Sequence, residues 1–260
     1  MTTLEIRNLT VRFGAVTAVD DVSLRLDPHS VLGLVGESGS GKSTVARAAV
    51  GLQPVTSGTI LIDGVKVTKR FGKRDRDRWR AIQMVFQDPY GSLNPRMSIG
   101  EMLNEALNVG SKVGGALLAR RQTELLDLVH LDSSVAERYP RELSGGMRQR
   151  AAIARALASR PAILVADEIT SSLDASVQGA VLNLLRDLLE QLDLSLLFIS
   201  HNLATVRYIA ENIAVMHLGK IVETGVSDEL IRAPKDPYTR SLLAALRELG
   251  DHAANSSPAV

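Results

Sequence analysis

Gly36-Glu37-Ser38-Gly39-Ser40-Gly41-Lys42-Ser43 decides the reading of this chain. The octapeptide fits G-x-x-x-x-G-K-[ST], the phosphate-binding P-loop. It follows the continuous apolar run Val31-Leu32-Gly33-Leu34-Val35, which reads as a buried strand, and it opens a helix predicted over Ser43–Leu52. The chemistry accounts for the residue types. Glycines let the backbone bend until successive N–H groups, Thr44 included, aim at one anion. The helix N-terminus adds about half a positive charge. Lys42 brings a mobile full charge for β- and γ-phosphates, and the Ser43 hydroxyl is a hard oxygen suited to Mg²⁺.

A metal at that loop needs a second support from another strand. Ile163-Leu164-Val165-Ala166-Asp167-Glu168 offers one, a buried run ending in two carboxylates. Adjacent strand residues point to opposite sides, so the two acids should differ in task. Asp167 is placed to hold Mg²⁺ through water, which leaves Glu168 to polarise an attacking water. A third stretch, Leu143-Ser144-Gly145-Gly146-Met147-Arg148-Gln149-Arg150, sets an N-capping serine and two glycines before an Ala-rich helix predicted over Met147–Ser159. That is either a second helix end built to approach an anion, or an ordinary capped helix after the loop at Tyr139-Pro140.

Working outward, strand-like runs at Leu4–Phe13, Val22–Leu26, Ile163–Ala166 and Leu196–Ile199 alternate with helical stretches at Ala175–Leu192 and Leu203–Ala210. The alternation predicts an α/β layered fold. Asn94–Arg150 has another texture, with helical periodicity at Ile99–Val109 and Ala116–Val129, and reads as a helical insertion. Gly250–Val260 is small and polar and is expected to be disordered. Lys69–Arg80 carries seven basic and two acidic residues; a solvated loop leading into a helix accounts for it, with a nucleic-acid or lipid-phosphate contact as the alternative.

Composition narrows the classes. The chain has 260 residues, 45% hydrophobic and 23% charged, which excludes global disorder. A formal charge of +1 is far from that of a protein living on nucleic-acid backbone, and 3% aromatics argues against a base-stacking module. With no cysteine there is no disulfide framework, thiolate zinc site or cysteine-held cluster. No apolar run reaches the roughly 18–20 residues that span a bilayer, and Met1–Glu5 does not begin a secretion signal. The expectation is a soluble cytoplasmic protein.

Taken together, the motifs resemble the ATP-binding cassette (ABC) family over about residues 4–249. Gly36–Ser43 and Ile163–Glu168 resemble its two Walker motifs, and Leu143–Gln149 its signature. Gln87, after Met84-Val85-Phe86, sits where the Q-loop glutamine belongs, and Ser171-Ser172-Leu173-Asp174 resembles the D-loop. His201 occupies the switch-histidine position, and Phe13 matches the aromatic that stacks on adenine.

The resemblance implies an α/β P-loop NTPase with a RecA-like core, an antiparallel β-subdomain and an inserted α-helical subdomain. In one ABC ATPase domain over 1–250, the core covers about 1–93 and 151–230, the helical part 94–150, and a C-terminal extension 231–250, before the tail 251–260. It implies ATP and Mg²⁺ as ligands. Glu168 would be the general base, His201 would bond the γ-phosphate and position the water, Gln87 would sense Mg²⁺ and water and report occupancy to the transport partner, and Ser43, Gln87 and Asp167 would hold the metal. Ser144, Gly145, Gly146 and Asp174 would complete the nucleotide site of a facing subunit.

Val85-Phe86-Gln87-Asp88-Pro89-Tyr90-Gly91-Ser92-Leu93-Asn94-Pro95-Arg96-Met97 and Pro234–Leu243 resemble the oligopeptide, dipeptide and nickel importer ATPases. That implies a second ABC ATPase subunit, two transmembrane permeases, an extracytoplasmic solute-binding protein reached indirectly, no nucleic-acid partner, and a place on the cytoplasmic membrane face. A non-transport ABC ATPase of DNA repair or translation is the competing reading; no sustained heptads for coiled-coil arms and a single cassette weigh against it. Three departures stand out: Ile169 where proline usually follows the Walker B glutamate, Asn202 where aspartate is common, and Phe13 for the commoner tyrosine.

Overall fold

The computed structural model describes residues 2–67, 78–109 and 114–244. Its strands are β1 (Leu4–Phe13), β2 (Val16–Leu26), β3 (Val31–Val35), β4 (Ser57–Ile62), β5 (Val65–Lys66), β6 (Ile82–Val85), β7 (Ile163–Asp167), β8 (Ser195–Ser200), β9 (Asn212–His217) and β10 (Lys220–Val226). Its α-helices include α1 (Lys42–Ala49), α2 (Pro89–Ser92), α3 (Ile99–Leu107), α4 (Gly115–Leu128), α5 (Gly145–Leu157), α6 (Ala175–Gln191), α7 (Leu203–Ile209) and α8 (Ser227–Arg232). Single 3₁₀ turns lie at Ser133–Glu137 and Pro140–Glu142.

Six strands form one sheet in the order β10-β9-β3-β8-β7-β6, parallel except for β10. Both faces of that sheet are covered, which is why its strands read as unbroken apolar runs. The pleat sorts them by parity. Leu32, Leu34, Val165, Leu197, Ile199, Ala214 and Met216 join one core with α1 and the antiparallel sheet. Val31, Val35, Leu164, Ala166, Phe198 and Val215 join a second core with α3–α7. The second sheet, β2-β1-β4-β5, is antiparallel, with β1 paired to β2 and β4.

The P-loop NTPase layering expected from the resemblance is present, together with an antiparallel sheet and a helical segment of α3, α4 and the 3₁₀ turns. Helix ends shift by one to three residues. α1 stops at Ala49 because Gly51 turns the chain (φ 73°) against the Trp79 ring. α5 starts at Gly145, two residues earlier than expected, because Ser144 caps it, and it runs through the expected boundary at Arg150. β2 begins at Val16, earlier than the expected Val22. The expectations for the basic run before Arg78 and for Gly250–Val260 lie outside the described residues. Among the described residues no helix is long and apolar enough to cross a membrane.

Candidate functional site

A parallel sheet brings the C-terminal ends of its strands to one edge, where ligands of such folds bind. β3 leads into the loop 36–41, β6 into Gln87, β7 ends on Asp167 with Glu168 just beyond it, and β8 leads to His201. With β3, β8, β7 and β6 adjacent in the sheet, four segments scattered over more than a hundred residues converge by topology alone.

The loop folds around its own lysine. Lys42 Nζ donates to the carbonyls of Gly36 (2.8 Å) and Glu37 (2.7 Å) and lies 3.4 Å from Ser40 Oγ. Its side chain is 3% exposed. Burial lowers the Lys42 pKa, while the carboxylates of Glu168, Asp167 and Glu37 favour the charged form. Two glycines are required by space. A Cβ on Gly36 would sit 2.0 Å from the Met216 carbonyl, and one on Gly41 (φ 107°) would sit 2.3 Å from the Ala18 carbonyl. The Gly219 N–H donates to the Ser40 carbonyl (3.0 Å), so the β9–β10 turn braces the loop from outside. Gly41 is the N-cap of α1 and supplies no side-chain cap, so the helix presents bare N–H groups of the kind an anion accepts.

Asp167 shares the parity of Ile163 and Val165 and so faces α1, where Ser43 Oγ donates to its Oδ1 at 2.9 Å. Asp167 is 2% exposed. Burial raises its pKa, and the Ser43 hydrogen bond opposes that shift. A buried carboxylate beside a hydroxyl is a hard-oxygen pair of the kind Mg²⁺ selects, so the residues present fit that ion. Glu168, the first residue after β7, takes a left-handed conformation (φ 48°) that breaks the strand and turns its side chain away from Asp167. Its Oε2 accepts from Gln87 Nε2 (3.1 Å) and lies 3.2 Å from His201 Nδ1, and its Oε1 lies 4.0 Å from Lys42 Nζ. One carboxylate therefore ties together the segments after β3, β6, β7 and β8.

Other expected site residues are placed apart. Phe13 ends β1 with half of its surface open, as a free stacking face requires. Ser144 Oγ accepts from Met147 N (3.3 Å), and a Cβ at Gly146 would meet Val177 at 2.6 Å, so the glycine pair lies against the start of α6. Asp174 caps that helix, accepting from Val177 N (3.0 Å) and Ser176 Oγ (2.7 Å). Among the described residues no hydrogen bond joins Ser144–Gly146 to residues 36–44. Within this chain the signature stretch and the phosphate loop are separate sites.

The departures are absorbed locally. Ile169 is fully buried in the larger core, and the chain turns after it through Ser171 N to the Glu168 carbonyl (3.1 Å). Asn202 caps α7 through its Oδ1 (2.9 Å to Ala204 N), a task aspartate performs equally well. His217, given no role by the sequence motifs, ends β9 and stacks face to face on Tyr238, ring centroids 3.8 Å apart. Sequence reading also missed Tyr238, whose hydroxyl accepts from the Glu37 N–H at 3.0 Å. The only sequence signal was the Pro237-Tyr238 segment itself.

A phosphate loop after a central parallel strand, with acids, glutamine and histidine gathered beside it, defines a P-loop nucleoside triphosphatase. The chain belongs to the ABC transporter family, whose family model matches residues 19–171. It is similar to the oligopeptide transport ATP-binding protein OppF of Bacillus subtilis, 45% identical over 250 residues that cover 94% of this chain and 82% of that one. It is 50% identical to a Brucella abortus candidate ATP-binding protein for peptide import, over 87% of this chain and 68% of that one. Among solved structures it is similar to a dimeric ATP-binding cassette in a post-hydrolysis state bound to ADP and Pi. That match has a TM-score of 0.77 and 28% identity and covers 86% of this chain and 98% of that one.

Proposed function

We propose that this chain is the ATP-hydrolysing subunit that powers an importer of peptides or a similar small solute. The observation that carries the hydrolytic part is the Glu168 carboxylate, reached by Gln87 and His201 and 4.0 Å from Lys42, beside the Ser43–Asp167 pair. The names of relatives 45–50% identical over most of the chain support the transport part.

The residues divide the work. Phe13 offers a stacking face to adenine. Gly36, Glu37, Ser38, Gly39, Ser40 and Gly41 shape the loop, and Lys42 with the N–H groups of Ser43 and Thr44 would hold the phosphates. Ser43 and Asp167, with Gln87, would hold Mg²⁺. When bound, Mg²⁺ supplies positive charge that offsets the negative charge on the leaving phosphate oxygens. Glu168 takes a proton from the attacking water as its oxygen bonds to the γ-phosphorus and the bond to the β-phosphate oxygen breaks, giving ADP and phosphate. His201 keeps the Glu168 carboxylate and the water in line.

Ser144, Gly145 and Gly146, with Asp174, act on a nucleotide held by a second cassette. ATP then joins two subunits, and its hydrolysis releases them. Two permeases would hold the pair at the cytoplasmic face of the membrane, with a solute-binding protein on the other side. The domain plan is a single ATPase unit over 1–250, with 94–150 as its helical part and 231–250 as its extension. Affinity capture of the intact chain from solubilised membranes tests this reading. Two permeases and a second ATPase are expected; recovery with ribosomes or DNA would overturn it.

A further inference from the structure

The Gly36–Glu37 peptide is bonded at both ends. A trans peptide points its carbonyl and its N–H in opposite directions, and the described chain has no cis bond. The Gly36 carbonyl receives Lys42 Nζ at 2.8 Å, on the inner side of the loop. The Glu37 N–H therefore faces outward, where it meets the Tyr238 hydroxyl at 3.0 Å. The partners are 201 residues apart in sequence.

Tyr238 is itself held firmly. Its ring stacks on His217 at an interplanar angle of 11°. Its N–H donates to Asp236 Oδ1 (2.8 Å). The carboxylate of Glu223 on β10 accepts the N–H groups of Lys235 (2.8 Å) and Asp236 (3.1 Å), which fixes the turn in front of it. Thr239 beside it is fully buried, and residues 237–244 are helical. Met216, the neighbour of His217, is the residue whose carbonyl crowds Gly36.

We infer that Tyr238 is a positioning residue of the ATPase site: its hydroxyl sets the plane of the Gly36–Glu37 peptide and, through the carbonyl of that peptide, the place of the Lys42 ammonium. The C-terminal segment thus serves nucleotide binding without touching nucleotide. A rigid, buried carbonyl lets Lys42 sit where phosphate will arrive; with the outer bond gone the peptide can rotate and the lysine loses one of its anchors.

The inference rests on reading residues 36–43 as the phosphate loop, and its test keeps the two apart. Full-length wild type, Tyr238→Phe, Ser241→Ala and Lys42→Ala are compared for ATP affinity by calorimetry, for KM and kcat, for melting temperature, and for hydrogen exchange at the Glu37 amide. Tyr238→Phe keeps the ring stack and loses one neutral hydrogen bond, so Kd and KM for ATP rise roughly three- to tenfold. Its kcat stays within about twofold, since the loss falls on binding. Its melting temperature falls by no more than a few degrees, since the lost bond is a single exposed one, and its Glu37 amide exchanges faster. Ser241→Ala, whose hydroxyl donates to the Pro237 carbonyl (3.1 Å) away from the loop, matches wild type. If Lys42→Ala loses ATP while Tyr238→Phe keeps wild-type affinity and amide protection, the role of Tyr238 is refuted. If Lys42→Ala also binds ATP normally, the phosphate-loop reading itself fails, and this inference with it.

Discussion

Replacing Glu168 by glutamine exchanges one heavy atom and removes one negative charge. The amide keeps the shape of the carboxylate, so an oxygen remains for Gln87 Nε2, now 3.1 Å away, and a group remains near His201. What disappears is the proton acceptor and a negative charge 4.0 Å from Lys42. A positioned general base contributes on the order of 10²–10⁴ in rate, so kcat falls by that factor. Binding moves the other way. Lys42, Asp167 and Glu168 sum to one negative charge, and in the variant to none. An incoming triphosphate meets less repulsion at a side chain only 12% exposed, where screening by solvent is weak. ATP affinity should equal or exceed that of wild type, and an ATP-bound dimer should accumulate. Phosphate release at saturating Mg-ATP, nucleotide titration and gel filtration with ATP read the three quantities. A steady-state rate equal to wild type would refute the general-base assignment. A slow variant that also bound ATP poorly would refute the electrostatic reasoning.

Lys42→Ala removes the charge at the centre of the loop and leaves the Gly36 and Glu37 carbonyls without their donor, so ATP binding by calorimetry should be nearly abolished. Asp167→Asn should melt at a higher temperature than wild type in the nucleotide-free protein, because it removes a buried charge, yet lose Mg²⁺-dependent ATPase activity. The sign follows from the raised pKa of Asp167. In the window above the ordinary carboxylate value the folded state binds more proton than the unfolded one, so wild-type stability falls as pH rises through it. Denaturation at several pH values should show the gap between Asn variant and wild type opening with rising pH. Phe13→Ala should weaken ATP binding by about tenfold, the scale of one base–aromatic stack, without a change in melting temperature, since the ring is half exposed.

What could be read in advance follows from how each interaction is encoded. β3, β7 and β8 are legible as apolar runs because both faces of their sheet are covered, and α6 because its 17 residues hold a helical period. β4, β5, β9 and β10 are not. Ser57-Gly58-Thr59 dilutes the signal of β4, Ile213–Met216 is too short to tell from a helix, and β10 is edge strand with mostly half-buried residues. Loop 36–43, Asp167 and Glu168 stand out as candidates because binding phosphate and Mg²⁺ would demand particular residues at particular spacings. The Glu168 contacts with Gln87 and His201 needed the family resemblance, since sequence separations of 81 and 33 residues carry no period. The Tyr238 bond to Glu37 and the His217 stack had no such guide. A tyrosine hydroxyl accepting from a loop amide leaves no pattern until the fold closes the distance.

The most direct test is a crystal structure of the Glu168→Gln protein with Mg²⁺ and a non-hydrolysable ATP analogue, alone or with a second ATPase co-purified with it. The phosphates should lie in the curve of residues 36–43, with Ser43 and Asp167 facing the metal, and a glycine pair matching Gly145-Gly146 from the opposite cassette should close over the γ-phosphate. Analogue bound elsewhere, or a filled loop that no second cassette touches in the closed state, would contradict the account.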